Sequence, residues 1–309
     1  MLLEKDWLML DYYELEPKNN HFTDVVIDVT HRCNMSCKNC YIPNRDVPDM
    51  DADKMIEAIS QFPKKVTIRI IGAEPTMRKD LPELITKIKN TNHRITLLTN
   101  GLRLTRETYV KTLKEAGLKN LYISMNGVDN DDWYIKIDEL KCAEQKVQAM
   151  IYAHKYKILR DIGCIIVKNV NEDAPSRMLH MLKQKSISNV TLRFKTIGQL
   201  GRYMESSHQM NMDSLITIMA DQLQVSFDYI KEWQNKWIYP ESRQEKNSFL
   251  FPLNPNSKRV YSGIWVKLVN WNNYGKSTVL ADSTRRGRLT ENFKVAPFFE
   301  HVTQNEGGY

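Results

Sequence analysis

The sequence predicts an α/β protein: a partial (β/α)6 barrel followed by a C-terminal extension containing short strands. Three observations predict it. Six runs rich in Val, Ile and Leu recur between residues 24 and 195. Amphipathic helical patterns separate them, and such alternation makes parallel strands joined by helical crossovers. Three cysteines follow the first run directly, and barrels of this kind keep their chemistry at the C-terminal ends of the strands.

The strands read as 24–30, 65–71, 94–99, 119–125, 160–167 and 188–195. The first helix starts after Asp51, an N-cap residue type, and places Met55, Ile59 and Phe62 on one face. The second follows Asp80 with the stripe Leu81, Leu84, Ile85, Ile88, and tolerates Pro82 because its first N–H groups lack partners anyway. Tyr109, Leu113 and Ala116 mark a third helix that Gly117 ends. Longer patterns cover 136–155, 174–184 and 212–233. A closed TIM-like barrel has eight units, so six leave it open.

From Gln234 the pattern changes. Residues 239–257 carry Pro240, Pro252 and Pro255 among several Asn and Ser, and read as a linker or irregular cover. Val260 to Trp271 reads as a strand, with 277–281 as its partner. The expected organisation is an N-terminal extension over 1–23, a barrel over 24–233, and a basic extension over 234–309 that covers the barrel and binds substrate.

At 309 residues and 42% apolar content the chain has enough material for a full core. No apolar run reaches the 18 residues or so of a membrane span. Met1 to Glu16 lack a basic start, an apolar stretch and a cleavage site, so they do not read as a signal peptide. Of five cysteines, three share one motif. A disulfide framework needs more pairs, and a reducing cytoplasm is expected. Cys142 and Cys164 read as small buried residues. Net charge is +7, and between Lys258 and Lys294 eight bases face two acids. So clustered an excess points to an anionic partner or a solvated surface.

The motif is Cys33-Asn34-Met35-Ser36-Cys37-Lys38-Asn39-Cys40, spaced C-x3-C-x2-C. Three close thiolates suit an iron–sulfur cluster with one iron free of protein ligands. The competing reading is structural zinc with His31 as fourth ligand. Gly72-Ala73-Glu74-Pro75 follows the second strand, and small residues there let backbone approach a ligand. Thr99-Asn100-Gly101 closes strand three and Ser124-Met125-Asn126-Gly127 strand four; Asn-Gly pairs also make ordinary turns. Asn171-Glu172-Asp173 follows strand five. Arg193, within the apolar run Val190-Thr191-Leu192-Arg193-Phe194, needs a buried acceptor or a cavity. A substrate or cosubstrate carboxylate and a structural ion pair both satisfy it.

These motifs together resemble the radical S-adenosylmethionine (radical SAM) superfamily, whose barrel carries the three-cysteine loop after its first strand and commonly Gly-Gly-Glu-Pro after its second. The resemblance implies that Cys33, Cys37 and Cys40 hold a 4Fe–4S cluster. It implies that the Gly72, Ala73, Glu74, Pro75 edge binds the methionine amine of S-adenosylmethionine. Asn100, Ser124, Asn126, Asn171 and Arg193 then fall at cosubstrate-binding positions, with Asn126 in place of a usual acid. An aromatic residue usually precedes the last cysteine; here Asn39 does, and Tyr41 takes the adenine contact. The implied chemistry is one-electron cleavage of the sulfonium to a 5′-deoxyadenosyl radical that removes a hydrogen from substrate, in an isomerisation or another hydrogen-abstraction reaction. It requires a one-electron reductant of flavodoxin or ferredoxin type.

With no cysteine after Cys164, no auxiliary cluster is expected, and 23 residues before strand one are too few for a peptide-recognition or cobalamin domain. The leading substrate reading is a nucleotide or a modified base in nucleic acid, with Arg285, Arg286 and Arg288 gripping phosphates and Trp265, Trp271, Phe298 and Phe299 as covering groups. That profile is similar to compact bacteriophage members that remodel modified thymine in DNA. The alternatives are modification of a peptide or small metabolite, and a non-catalytic metal-binding protein that binds nucleic acid.

Overall fold

In the computed structural model the described residues are 13–40, 42, 44–197, 210–236, 248–254, 263–270 and 286–297. Six parallel strands form in sequence order: β1 (Asp24–Asp28), β2 (Thr67–Ile71), β3 (Arg94–Thr99), β4 (Asn120–Ser124), β5 (Leu159–Ile166) and β6 (Val190–Thr196). Between them run α1 (Ala52–Ser60), α2 (Leu81–Asn90), α3 (Glu107–Ala116), α4 (Asp131–Asp138), α5 (Ala143–Lys155) and α6 (Ala174–Gln184). Asp51 caps α1 by accepting from the Lys54 N–H at 2.9 Å, and Gly117 ends α3 in the left-handed region. Asp80 makes no cap; its carboxylate pairs with Arg78 instead.

Two of the longer helical patterns are broken. Residues 136–155 divide into α4 and α5 at Glu139, and residues 212–233 into α7 (Met212–Leu223) and α8 (Phe227–Lys236) at Gln224. Both break residues have positive φ. Neither is a glycine, so composition gave no sign of the turn.

The described residues of the C-terminal segment beyond Lys236 build sheet. Its strands β7 (Ser248–Pro252), β8 (Ile264–Val269), β9 (Arg286–Leu289) and β10 (Val295–Pro297) extend the same sheet on both sides. The order is β10-β9-β1-β2-β3-β4-β5-β6-β8-β7, with β9 parallel to β1 and β8 parallel to β6. Residues 248–252, read from sequence as part of a linker or cover, are therefore a strand. Phe249 and Phe251 are buried at a spacing of two, and Pro252 stands at the strand's end on an edge, where a missing N–H is tolerated. The partner of β8 is β7; residues 277–281 and Trp271, Phe298 and Phe299 lie outside the described residues. An open six-stranded sheet exposes unpaired N–H and C=O groups along β1 and β6, and β9 and β8 occupy those two edges.

Alternation along each strand separates two faces. Val25, Ile27, Ile68, Ile70, Leu97, Leu121, Ile123, Ile162, Leu192 and Phe194 join Met55, Ile59, Leu84, Ile85, Leu113 and Met178 of the helices in one core. The opposite face carries Asp24, Asp28, Arg69, Tyr122, Asp161, Arg193 and Lys267. That face is concave. Arg69 of β2 and Arg193 of β6 both lie against the ring of Tyr122 on β4, although four strand spacings separate them. The sheet is thus an open, curled barrel whose helices sit outside and whose charged residues line the lumen.

Candidate active site

The cysteine loop grows out of β1 and is held by the end of β2. Past the paired strands, the Ala73 N–H donates to Thr30 O at 2.9 Å and the Glu74 N–H to Arg32 O at 3.0 Å. Gly72 makes this possible. Its φ is +141°, and a Cβ there would stand 2.4 Å from Thr30 O. The chain then runs straight into Cys33. Thr30 and Arg32 are tied in turn to Asp49.

Cys33, Cys37 and Cys40 are half-buried and unbonded to one another. Donors already point at their sulfurs. The Met35 N–H lies 3.4 Å from Cys33 Sγ, and the Arg45 guanidinium donates to Cys40 Sγ at 2.9 Å. Burial and the neighbouring Asp138 carboxyl push the Cys37 thiol far up. A metal is therefore needed to hold it as thiolate. Among the described residues no three His, Cys, Asp or Glu side chains converge on one ion position. His31 Nδ1 lies 3.1 Å from Asn44 O. Three cysteine sulfurs on one loop, with N–H donors aimed at those of Cys33 and Cys40, fit a cluster.

Glu74 is fully buried directly beneath. Its Oε1 accepts from the Thr76 N–H (3.0 Å), the Thr76 hydroxyl (2.6 Å) and the Thr99 hydroxyl (2.7 Å), and its Oε2 from the Asn100 N–H (2.6 Å). The carboxylate thus bolts the end of β2 to the end of β3. Pro75 opens a buried turn over Pro75–Met77. Asn100 reaches back to the cysteine loop: its Nδ2 donates to Asn34 Oδ1 at 2.8 Å and lies 3.9 Å from Cys33 Sγ.

Asn126 and Asn171 are buried clamps at the ends of β4 and β5. Asn126 accepts from the Ile165 N–H at 3.0 Å and donates to Asp138 at 2.9 Å. Asn171 donates to the carbonyls of Asn126 and Ile165, each at 2.8 Å, and accepts from the Val167 N–H at 2.7 Å. The Ser124 carbonyl accepts from Lys146 Nζ at 3.1 Å. The structure therefore brings Cys33, Cys37, Cys40, Gly72 to Pro75, Asn100, Ser124, Asn126 and Asn171 together at one end of the sheet. Tyr41 lies outside the described residues.

The arginines are elsewhere. Arg193 sits midway along β6 and donates from Nε and an Nη to Asp161 Oδ1 at 3.0 and 2.6 Å. Of the two readings the sequence left open, the ion pair is present. Arg286 and Arg288 lie on β9, paired with β1, and Arg288 is buried 3.5 Å from Asp28. Arg288 is thus no part of an exposed phosphate grip; Arg285 lies outside the described residues.

Sequence reasoning missed Asp138, Lys146, Arg45 and Lys267. Lys146 carried a signal: it stands in the buried stripe Ala143, Met150, Ala153 of α5 and is itself fully buried. Lys267, between Val266 and Leu268, carried the same signal as Arg193.

The open α/β barrel with a three-cysteine loop at its C-terminal rim defines a class of iron–sulfur enzyme. A family model described as the radical SAM superfamily matches residues 27–182, just over half of the chain, and the chain belongs to that superfamily. Its cofactors are those of the family, a 4Fe–4S cluster and S-adenosylmethionine, and its chemistry needs a reductant. Over 117 residues the chain is 34% identical to 7,8-dihydro-6-hydroxymethylpterin dimethyltransferase of Methanocaldococcus jannaschii, covering 35% of this chain and 23% of that one. Over 197 residues it is 27% identical to GTP 3′,8-cyclase of Tolumonas auensis, covering 60% of this chain and 57% of that one. The chain thus spans about a quarter to somewhat over half of these relatives. In structure it is similar to Streptococcus suis SuiB bound to S-adenosylmethionine, with a TM-score of 0.62 at 13% identity, covering 93% of this chain and 62% of that one. Among the described residues no helix is long and apolar enough to cross a membrane.

Proposed function

We propose that this protein reductively cleaves S-adenosylmethionine and abstracts a hydrogen from a nucleotide-type substrate held in the lumen. The observation that carries the first half is the cysteine loop bonded through Thr30 and Arg32 to the Gly72–Glu74 edge, with Glu74 and Asn100 locking that edge to β3. Cys33, Cys37 and Cys40 ligate the cluster. The backbone of Gly72 to Glu74 offers acceptors to the methionine amine, and Asn126 and Asn171 keep the β4 and β5 ends in place beside it. When bound, the cluster and S-adenosylmethionine supply the electron and the 5′-deoxyadenosyl radical. The chain positions both at the mouth of the barrel and keeps stray hydrogen donors out. A flavodoxin or ferredoxin type of reductant fits the one-electron step.

The nucleotide reading rests on the cationic lumen and on the likeness to GTP 3′,8-cyclase. A free nucleotide is favoured over a polymer because Arg288 is buried in the sheet. The test is anaerobic reconstitution followed by reduction with dithionite and a search for 5′-deoxyadenosine. About four iron and four sulfide per chain are expected, with cleavage lost in Cys33→Ala, Cys37→Ala and Cys40→Ala. A panel of nucleotides, DNA, RNA and peptides then reports which one speeds cleavage. Stoichiometric zinc without sulfide, or no cleavage in iron-replete protein, overturns the reading.

A further inference from the structure

The lumen holds a charge arrangement that the cluster and cosubstrate edge do not use. Arg193 of β6 and Lys267 of β8 are cross-strand neighbours in register, and like charges so placed repel. Arg69 of β2 and Arg193 of β6 both reach Tyr122, with guanidinium carbons 5.6 and 5.3 Å from its ring centroid. Lys267 lies within the field of Arg193, Arg286 and Arg69, with Asp161 as the acid near it. Asp161 Oδ1 is already taken by Arg193. Among the described residues no hydrogen bond or ion pair holds Lys267 Nζ. Arg69 and Arg193, four strand spacings apart, nonetheless reach one ring, so curling the sheet is what gathers these cations. Gly163, beside Arg193 on β5, leaves open the space a side chain would fill: a Cβ there would lie 3.4 Å from an Arg193 nitrogen.

Asp24 stands 4.0 Å from Arg69 and Asp161 pairs with Arg193, so the chain's own acids meet the two guanidiniums but not Lys267, and the remaining charge calls for an anion that is not part of the chain. We propose that Arg69 and Arg193, which meet at Tyr122 midway down the lumen, and Lys267, the cross-strand neighbour of Arg193, form a subsite for the oxyanion group of the substrate, a phosphate or a carboxylate. The proposal rests on the lumenal-substrate reading above and names where the substrate's charge goes. Arg69 precedes Gly72 by three residues, so the subsite lies about 10 Å below the cosubstrate edge. That leaves room for a sugar-sized body between the anchored anion and the site of hydrogen abstraction. Tyr122 holds both guanidinium planes by cation–π contact, and Asp161 orients Arg193.

The test uses the cluster-reconstituted enzyme and calorimetric titration with tripolyphosphate and, separately, tricarballylate. The wild-type protein is expected to bind at least one of them. Lys267→Met should weaken that binding roughly tenfold or more, the size of losing one charged contact, and should melt no lower than wild type because the ammonium gives up no partner. Lys111→Met, on the exposed face of α3, should bind as wild type does. Binding of tripolyphosphate alone assigns the subsite to a phosphate, and of tricarballylate alone to a carboxylate. No binding of either ion, or undiminished binding by Lys267→Met, overturns the proposal; Lys267→Gln serves the same comparison if the Met variant does not fold. Formation of 5′-deoxyadenosine is read in the same preparations. Its absence counts against the enzyme reading and leaves the binding result standing.

Discussion

At the scale of the residue, Glu74 separates what a motif announces from what its side chain does. The motif marks it as part of the cosubstrate edge, yet its carboxylate is fully buried and spent on Thr76, Thr99 and Asn100. Its influence on ligand is therefore through the backbone it fixes. Glu74→Gln replaces one acceptor oxygen with a donating NH2 and removes the charge from every bond. We expect a loss of about 1–3 kcal/mol of stability, the usual cost of leaving buried donors short of an acceptor, seen as a lower melting temperature. A melting temperature equal to wild type would show that the four bonds contribute little. Asn126 and Asn171 follow the same pattern: their positions were legible as strand ends, while their commitment to the backbone of β4 and β5 needed the neighbouring strand.

At the scale of the element, the join between β1 and β2 matters most, because it seats the cysteine loop. Gly72 has no room for a side chain against Thr30 and sits at a φ that other residues rarely adopt. Gly72→Ala should push the β1 extension away and move Cys33 with it. We expect reduced iron and sulfide retention after reconstitution, with the far-ultraviolet dichroism of the sheet kept. Ala73→Gly, which restores the commoner Gly-Gly pair, should retain wild-type iron. Wild-type iron content in Gly72→Ala would mean that the loop is seated by other contacts. Strands β1 to β6 were legible because each shows a run of β-branched and apolar residues. Strand β7 was not, since three prolines nearby mask five residues of alternation, and the breaks after α4 and α7 fall on Glu139 and Gln224, which no turn rule marks.

At the scale of the whole molecule, the lumen's charge is a property of no single strand. Lys267 is pushed down to about 7 by burial and by Arg193, Arg286 and Arg69, with Asp161 opposing. In the unfolded chain a lysine titrates near 10.4. Between about pH 7 and 10 the unfolded chain therefore holds a proton that the folded chain lacks, so stability rises with pH across that window. Below about pH 7 both states are protonated and Lys267 adds no slope. Denaturation of wild type and Lys267→Met at several pH values should show the rise in wild type and a flatter profile in the variant. The difference isolates Lys267 from the cysteines, which both proteins share. Identical profiles would place the ammonium in solvent.

The sequence by itself determined the parallel α/β order, the three-cysteine loop after the first strand and the Gly72–Pro75 edge after the second. These are local: a period of two, a ligand spacing and a turn are written in neighbouring residues. The tertiary structure alone decided that the C-terminal strands extend both edges of the sheet, that Arg288 is buried beside Asp28 rather than set on a basic surface, and that Arg69 and Arg193 meet at Tyr122 with Lys267 beside Arg193. Those outcomes depend on pairing between distant segments and on the curl of the sheet. Side-chain alternation shows that a charge faces the inner side, but only the curvature shows which other charges it meets there.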